Sequence, residues 1–174
     1  MKVLVFVKAT PMSEKGVVSG EGFDKMIAAM GAFNEKLVKA GVMQEADGLK
    51  PSNAGKRLTF SDQGHTAVID GPFVETKELV AGYWVWNVKS MDEAVEWAKQ
   101  CPNPMPGEEG VLEIRPTYSV EEFDELVGAS GAVAEQDARL RKQIKRQKQA
   151  KNAKKAKPAA KKRKSKPKRA KAKK

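Results

Sequence analysis

Asp70-Gly71-Pro72-Phe73-Val74-Glu75-Thr76-Lys77-Glu78, leading into Gly82-Tyr83-Trp84-Val85-Trp86-Asn87-Val88, is the stretch on which the reading of this chain turns. An apolar run from Thr66 to Ile69 precedes it, so a strand is expected to end there. Gly71 can take backbone angles closed to other residues, while Pro72 fixes its own φ and offers no N–H donor. The chain must therefore leave its sheet ladder near Asp70. Downstream, Tyr83, Val85 and Asn87 alternate with Trp84, Trp86 and Val88, which loads both faces of a strand with bulky side chains. Lys2 to Lys8 repeats the pattern, with Val3, Val5 and Val7 on one side and Leu4 and Phe6 on the other. Both strands need cover on two sides.

Between these strands the spacing alternates between helical and extended. Phe23, Ile27, Met30, Phe33 and Leu37 recur at helical intervals until Gly41 supplies a stop. Leu58 and Phe60, a turn at Asp62-Gln63-Gly64, and Thr66 to Ile69 read as a hairpin that places His65 at the start of its second strand. Ser90 with Glu93 reads as a capping box for a short helix that turns Met91, Ala94, Val95 and Ala98 inward and stops before Pro102. A last strand follows over Gly110 to Arg115, and Ser119 with Glu122 caps a further helix bearing Phe123, Leu126 and Val127. The order strand, helix, hairpin, strand, helix, strand predicts an α+β, ferredoxin-like sandwich with an added strand. Helices can cover only one face of such a sheet, so the other is expected to meet a second copy, giving a homodimer packed sheet to sheet with Trp84 and Trp86 as core across the seam.

These motifs also carry a resemblance. The Asp70-Gly71-Pro72-Phe73 turn, Glu75-Thr76-Lys77-Glu78, Gly82, the helix from Asp92 to Ala98, Cys101-Pro102 and Glu113-Ile114-Arg115-Pro116 occur in order and spacing. With Gly41 and the Gly48 to Ser52 turn, they resemble the YCII-related proteins, in the branch marked by Asp-Gly-Pro-Phe, over roughly residues 1–127. The resemblance implies a dimeric α/β barrel and, more loosely, a link to transcription. A His and Asp pair is associated with the wider superfamily; in this branch the signature carries Asp70 and not His65.

The net charge of +11 hides a division. Residues 1–138 hold 13 Lys and Arg against 22 Asp and Glu, and residues 139–174 hold 20 Lys and Arg with no acid. An acidic domain, residues 1–127, is thus expected to lead through a linker at residues 128–131 into a basic tail at residues 132–174. Ala, Gln, Lys and Arg favour helix from Ala132 to about Lys157, and lysine repulsion opposes it, so a partly helical segment ending at Pro158 and then disorder are expected. Its cations include Arg141, Lys142, Lys145, Arg146, Lys154, Lys155, Lys161, Lys162, Arg163, Lys164, Lys168 and Arg169. Such a polycation suits the phosphate backbone of DNA or RNA and, having no aromatic residue, reads no bases. By composition it resembles the Lys/Ala/Pro tails of histone H1-like and nucleoid-associated proteins. An acidic protein, a membrane surface, a targeting signal over Lys161 to Lys164, or a solubilising role are the other readings of the same charge.

For chemistry the sequence offers a candidate cleft. Asp70, at a strand end beside a turn, has the placement of a general base, with His65 as its partner in proton transfer. Gly71, Pro72, Phe73, Glu75, Lys77, Glu78 and Arg115 are the expected ligand-binding neighbours. His65 and Asp70 lie five apart, which in a regular strand sends them to opposite faces, so only a break in the strand unites them. The structural alternative makes Asp70 an acceptor for turn amides and the charge run a solvated face. One His and one Cys complete no zinc site, the carboxylates lack calcium-loop spacing, and Gly16 to Gly22 lacks the context of a phosphate loop, so no metal or cofactor is expected. Lone Cys101 forms no internal disulfide, and Val3 to Val7 is too short for a membrane span or signal core, which reads as a cytoplasmic protein. A small-ligand or partner-binding domain tethered to nucleic acid is the first functional reading, and a small-substrate enzyme using Asp70 the second.

Overall fold

The computed structural model describes residues 1–16, 21–64 and 66–156. In chain order its elements are β1 (Lys2–Lys8), α1 (Pro11–Glu14), α2 (Glu21–Lys39), β2 (Met43–Gly48), β3 (Lys56–Phe60), β4 (Thr66–Asp70), β5 (Val80–Asn87), α3 (Met91–Ala98), β6 (Leu112–Pro116), α4 (Val120–Leu126) and α5 (Ala132–Ala156). They form two compact units, Met1–Thr117 and the chain from Tyr118 onward.

The first unit is α+β, built on a four-stranded antiparallel sheet in the order β2-β5-β1-β6. With α2 after β1 and α3 after β5, this is the βαββαβ order of a ferredoxin-like fold. The two-faced strands take the central places. Val3 opposes Trp86 and Val5 opposes Trp84 across β1 and β5, and all four are buried. Phe33 of α2 meets both indoles edge-on at 6.3 and 6.4 Å, and Leu37 and Ala94 complete the layer. Burying each of the Val, Leu and Phe side chains contributes about 1.5–3 kcal/mol. The tryptophan face, expected at the seam with a second copy, is instead covered by helices of the same chain, because α2 and α3 both pack on that side of the sheet. The opposite face carries Leu4, Phe6, Tyr83 and Val85, all half-buried.

Two expectations about strands are corrected. Met43–Gly48 joins the main sheet as an edge strand, whereas the sequence showed only turns there: Gln44, Glu45 and Asp47 leave no apolar alternation, and a bulge follows Met43. The hairpin β3-β4 is not part of that sheet but a separate two-stranded ribbon. Its Leu58, Phe60 and Val68 are exposed.

Helix α2 ends as its glycine predicts. Gly41 has φ +72, its N–H donates to the Val38 carbonyl, and the Val42 N–H donates to the Leu37 carbonyl. Its inward stripe runs through half-buried Phe23, Met26 and Met30 and buried Phe33 and Leu37, and Ile27 is 53% exposed rather than inward. In α3, Ala94 is buried and Val95 lies at the rim, with half-buried Trp97 in its place. Ser90 caps that helix, but Glu93 reaches the Lys89 N–H instead of closing a box on Ser90. Short α1, unforeseen in the loop after Thr10, starts at its own box: Thr10 Oγ1 accepts from the Ser13 N–H and Ser13 Oγ accepts from the Thr10 N–H.

In the second unit α4 has the full capping box expected of Ser119 and Glu122. The Asp124 carboxylate then accepts from the Gly131 and Val133 N–H groups at the start of α5, which joins the two helices. Helix α5 is continuous over 25 residues. Residues 157–174, where disorder was expected, lie outside the described residues.

Candidate functional site

The Asp70 turn is a packing device around Ser52. The Gly71-Pro72 peptide is cis, and the Gly71 N–H donates to the Gly55 carbonyl at 3.2 Å. A Cβ on Gly71 would stand 1.8 Å from the Ser52 carbonyl oxygen, so only glycine fits. Ser52 Oγ accepts from the Phe73 N–H at 3.2 Å, and Glu14 Oε2 accepts from both the Ser52 N–H, at 3.0 Å, and its hydroxyl. The Arg57 guanidinium lies 4.2 Å from the Phe73 ring centroid. Four segments, at residues 14, 52–55, 57 and 71–73, are thereby locked together.

The charged residues of the expected cleft are distributed rather than gathered. Asp70 pairs with Lys56 on the ribbon, with much of its side chain exposed, in place of the turn amides. Glu75 has φ +70 and turns the chain into a short 3-10 turn, Thr76–Glu78, which holds Lys77 and Glu78; the Glu78 carbonyl accepts from Lys8 Nζ. Arg115 stands on β6, 3.9 Å from Glu113, a neighbour on its own strand rather than the charges after the turn. His65 lies outside the described residues. Among the described residues no three His, Cys, Asp or Glu are placed to hold a metal ion.

Two concave features of this unit lie elsewhere. A cavity of about 660 Å³ opens between α1, the first turns of α2, the segment 48–51, Ala81 of β5 and the loop 104–108. Its walls are mostly apolar: Met12, Phe23, Met26, Leu49 and Met105, with Pro51, Pro104 and Pro106. A second hollow of about 320 Å³ shares Met26, Gly48, Ala81, Pro104 and Met105 with it and extends to Trp84, whose indole N–H donates to Asn34 Oδ1 at 2.9 Å. None of Asp70, Gly71, Pro72, Phe73, Glu75, Lys77, Glu78 or Arg115 lines either space.

The walls are fixed by short-range hydrogen bonds. Thr10 Oγ1, buried at 8% exposure, donates to Met105 Sδ at 3.7 Å. Asn103 Oδ1 accepts from the Met105 N–H and Asn103 Nδ2 donates to the Glu108 carbonyl, each at 2.9 Å. Gly110 is required beside them, because a Cβ there would meet Asn103 Oδ1 at 2.2 Å. On the other side, the Glu14 carboxylate reaches from the cavity wall to Ser52, so the Asp70 turn braces the cavity without entering it. Sequence reading missed every wall residue except as a turn or core position. Met12, Met26 and Met105 are far apart in the chain, so no local spacing announces them; the turns at residues 48–52 and 101–106 were the available signal.

The tail cations divide by position. Arg141, Lys142, Lys145 and Arg146 are exposed on α5, at spacings that put Arg141 beside Lys145 and Lys142 beside Arg146 along the helix. Arg141 pairs with Asp137, which raises its guanidinium pKa through that hydrogen bond and charge. Lys154 and Lys155 lie within α5, and Lys161, Lys162, Arg163, Lys164, Lys168 and Arg169 are outside the described residues. No helix among the described residues is long and apolar enough to cross a membrane.

Comparison with known proteins gives likenesses at the level of family, relative and solved structure. The model of the YCII-related domain matches residues 1–121. An uncharacterized protein of Rhizobium meliloti (strain 1021) is 36% identical over 98 residues, covering 56% of this chain and 77% of that protein. Among solved structures, the 5-chloro-2-hydroxyhydroquinone dehydrochlorinase of Burkholderia phenoliruptrix AC1100, in complex with 2,5-dihydroxybenzoquinone, aligns at 17% identity and a TM-score of 0.32, covering 68% of this chain and 96% of that one.

Proposed function

The chain belongs to the YCII-related domain family over residues 1–121, and from that premise we propose that its folded unit is a binding domain that takes a small molecule with a large apolar part into the cavity walled by Met12, Met26, Leu49 and Met105. The observation that carries this reading is the cavity itself. At about 660 Å³ it falls within the few hundred to about 1,000 Å³ typical of small-molecule sites, and its walls are braced by hydrogen bonds rather than left to loop packing. The half-buried face formed by Leu4, Phe6, Tyr83 and Val85 supports a homodimer, and the exposed cations of α5 support contact with nucleic-acid phosphates. A catalytic reading centred on Asp70 has less support, because its carboxylate is engaged with Lys56 outside the cavity.

The test uses the neutral dye N-phenylnaphthylamine, which fluoresces in apolar surroundings, with the full chain and with Leu49→Trp. Leu49 is 49% exposed at the cavity wall, so an indole there narrows the space at little cost to the core. Saturable binding by the full chain, weakened at least about tenfold in the variant, is expected. Equal binding by both would remove the cavity from the function.

A further inference from the structure

We propose that this cavity selects aromatic ligands that are neutral or positively charged and excludes carboxylates and other anions, a statement that rests on the cavity being a binding site. The walls favour a planar ring: the thioethers of Met12, Met26 and Met105 are polarisable and make good contacts with ring edges, and Phe23 offers a face for stacking or for a cation. The charge on the walls has one sign. Glu14 and Glu108 line the larger space and Asp47 the smaller, and no Lys, Arg or His stands among the described residues that line either.

The two glutamates do different work. Glu14 Oε2 is held by Ser52, which fixes its negative charge in the wall. Glu108 is half-buried, its backbone is pinned to Met105 and Asn103, and its carboxylate has no hydrogen-bond or ion-pair partner among the described residues. An ammonium group on a bound ring would find that carboxylate open, whereas a carboxylate on the ring would meet two like charges in a space of reduced dielectric. The methionine-rich surface adapts to ring shape, so the selection acts on charge and aromaticity more than on outline.

Three probes with one ring separate the charges: naphthylmethylamine, cationic at neutral pH, naphthylmethanol, neutral, and naphthoate, anionic. Binding is read on isotope-labelled methionine methyl resonances of Met26 and Met105 in the full chain, so an anion that merely coats the basic tail does not register. The amine is expected to bind at least about tenfold more tightly than naphthoate, with the alcohol between them. In Glu108→Gln the advantage of the amine over both the alcohol and naphthoate should shrink severalfold. Naphthoate matching the amine, with the alcohol still shifting these methyls, overturns the charge selection and leaves the binding site standing. No methyl shift with any of the three overturns the binding site and the selection with it.

Discussion

At Gly71 the chain passes so close to Ser52 that a single added methyl group would occupy the carbonyl oxygen's place, 1.8 Å away. The neighbour is backbone and cannot swing aside. Gly71→Ala is therefore expected to destabilise the fold by about 3 kcal/mol or more, seen as a lower melting temperature. Gly31, in the middle of α2 with nothing within 4 Å of an added Cβ, provides the contrast: Gly31→Ala should be neutral or stabilise by up to about 1 kcal/mol. A Gly71→Ala chain melting with the wild type would show that the turn yields more readily than its geometry implies. Cys101 is a second matter at this scale. Burial pushes its thiol up to about 11, because the thiolate would lose its water. The folded state holds this proton more tightly than the unfolded chain, whose thiol ionises near 9, so the thiol's contribution to stability is intact below about pH 9 and is lost as pH rises towards about 11. Alkylation by iodoacetamide is expected to be slow at pH 8 in the folded protein and fast once it is unfolded. Equal rates in the two states would contradict the burial.

Among the elements, the central sheet separates what local pattern reveals from what it hides. Strands β1 and β5 announce themselves because both faces are apolar along their length. Strand β2 does not, for its place is an edge and its side chains are largely exposed, so Gln, Glu and Asp are tolerated and no alternation survives. In α2 the choice between Met26 and Ile27 for the inner face depended on the rotation at which the helix meets β2 and the cavity, which helical spacing leaves free by one position. The sheet's second face has rows of a different kind. Leu4 pairs across to Val85 and Arg115, and Phe6 to Tyr83 and Glu113, so an apolar middle is flanked by charge, with Glu45 and Asp47 on the β2 edge. Such a face suits a second copy turned by half a revolution. Phe6→Lys is expected to shift the chain towards monomer in sedimentation equilibrium while leaving the tryptophan core folded. A wild-type chain that is monomeric across the whole concentration range would end the dimer proposal.

Over the whole molecule the two ends of the chain differ in charge more than in any other respect, with 22 acids before residue 139 and 20 cations without acid from residue 139 onward. Along α5 the cations from Arg139 to Lys151 are exposed, and one of them, Arg141, is paired with Asp137 at the acidic end of the helix. The full chain is expected to bind random-sequence duplex DNA with an affinity that falls steeply with salt, a slope of several units in the double-logarithmic plot, and a chain ending at residue 130 to bind weakly at all salt concentrations. Equal affinity for the two would assign the tail some other role. Charge sums along the sequence without reference to the fold, so the acidic domain and the polycation were legible at once. So were the turn at Gly71-Pro72, set by residues with restricted or unusual backbone freedom, and the two strands whose faces are both apolar. The tertiary structure decided the cavity: its thioethers, its two glutamates and the Ser52 brace come from segments up to about a hundred residues apart. Only the folding of β2 against β5 and the closing of loop 104–108 over α1 bring them to one place. Proximity of that kind is a property of packing, and no spacing within a single segment encodes it.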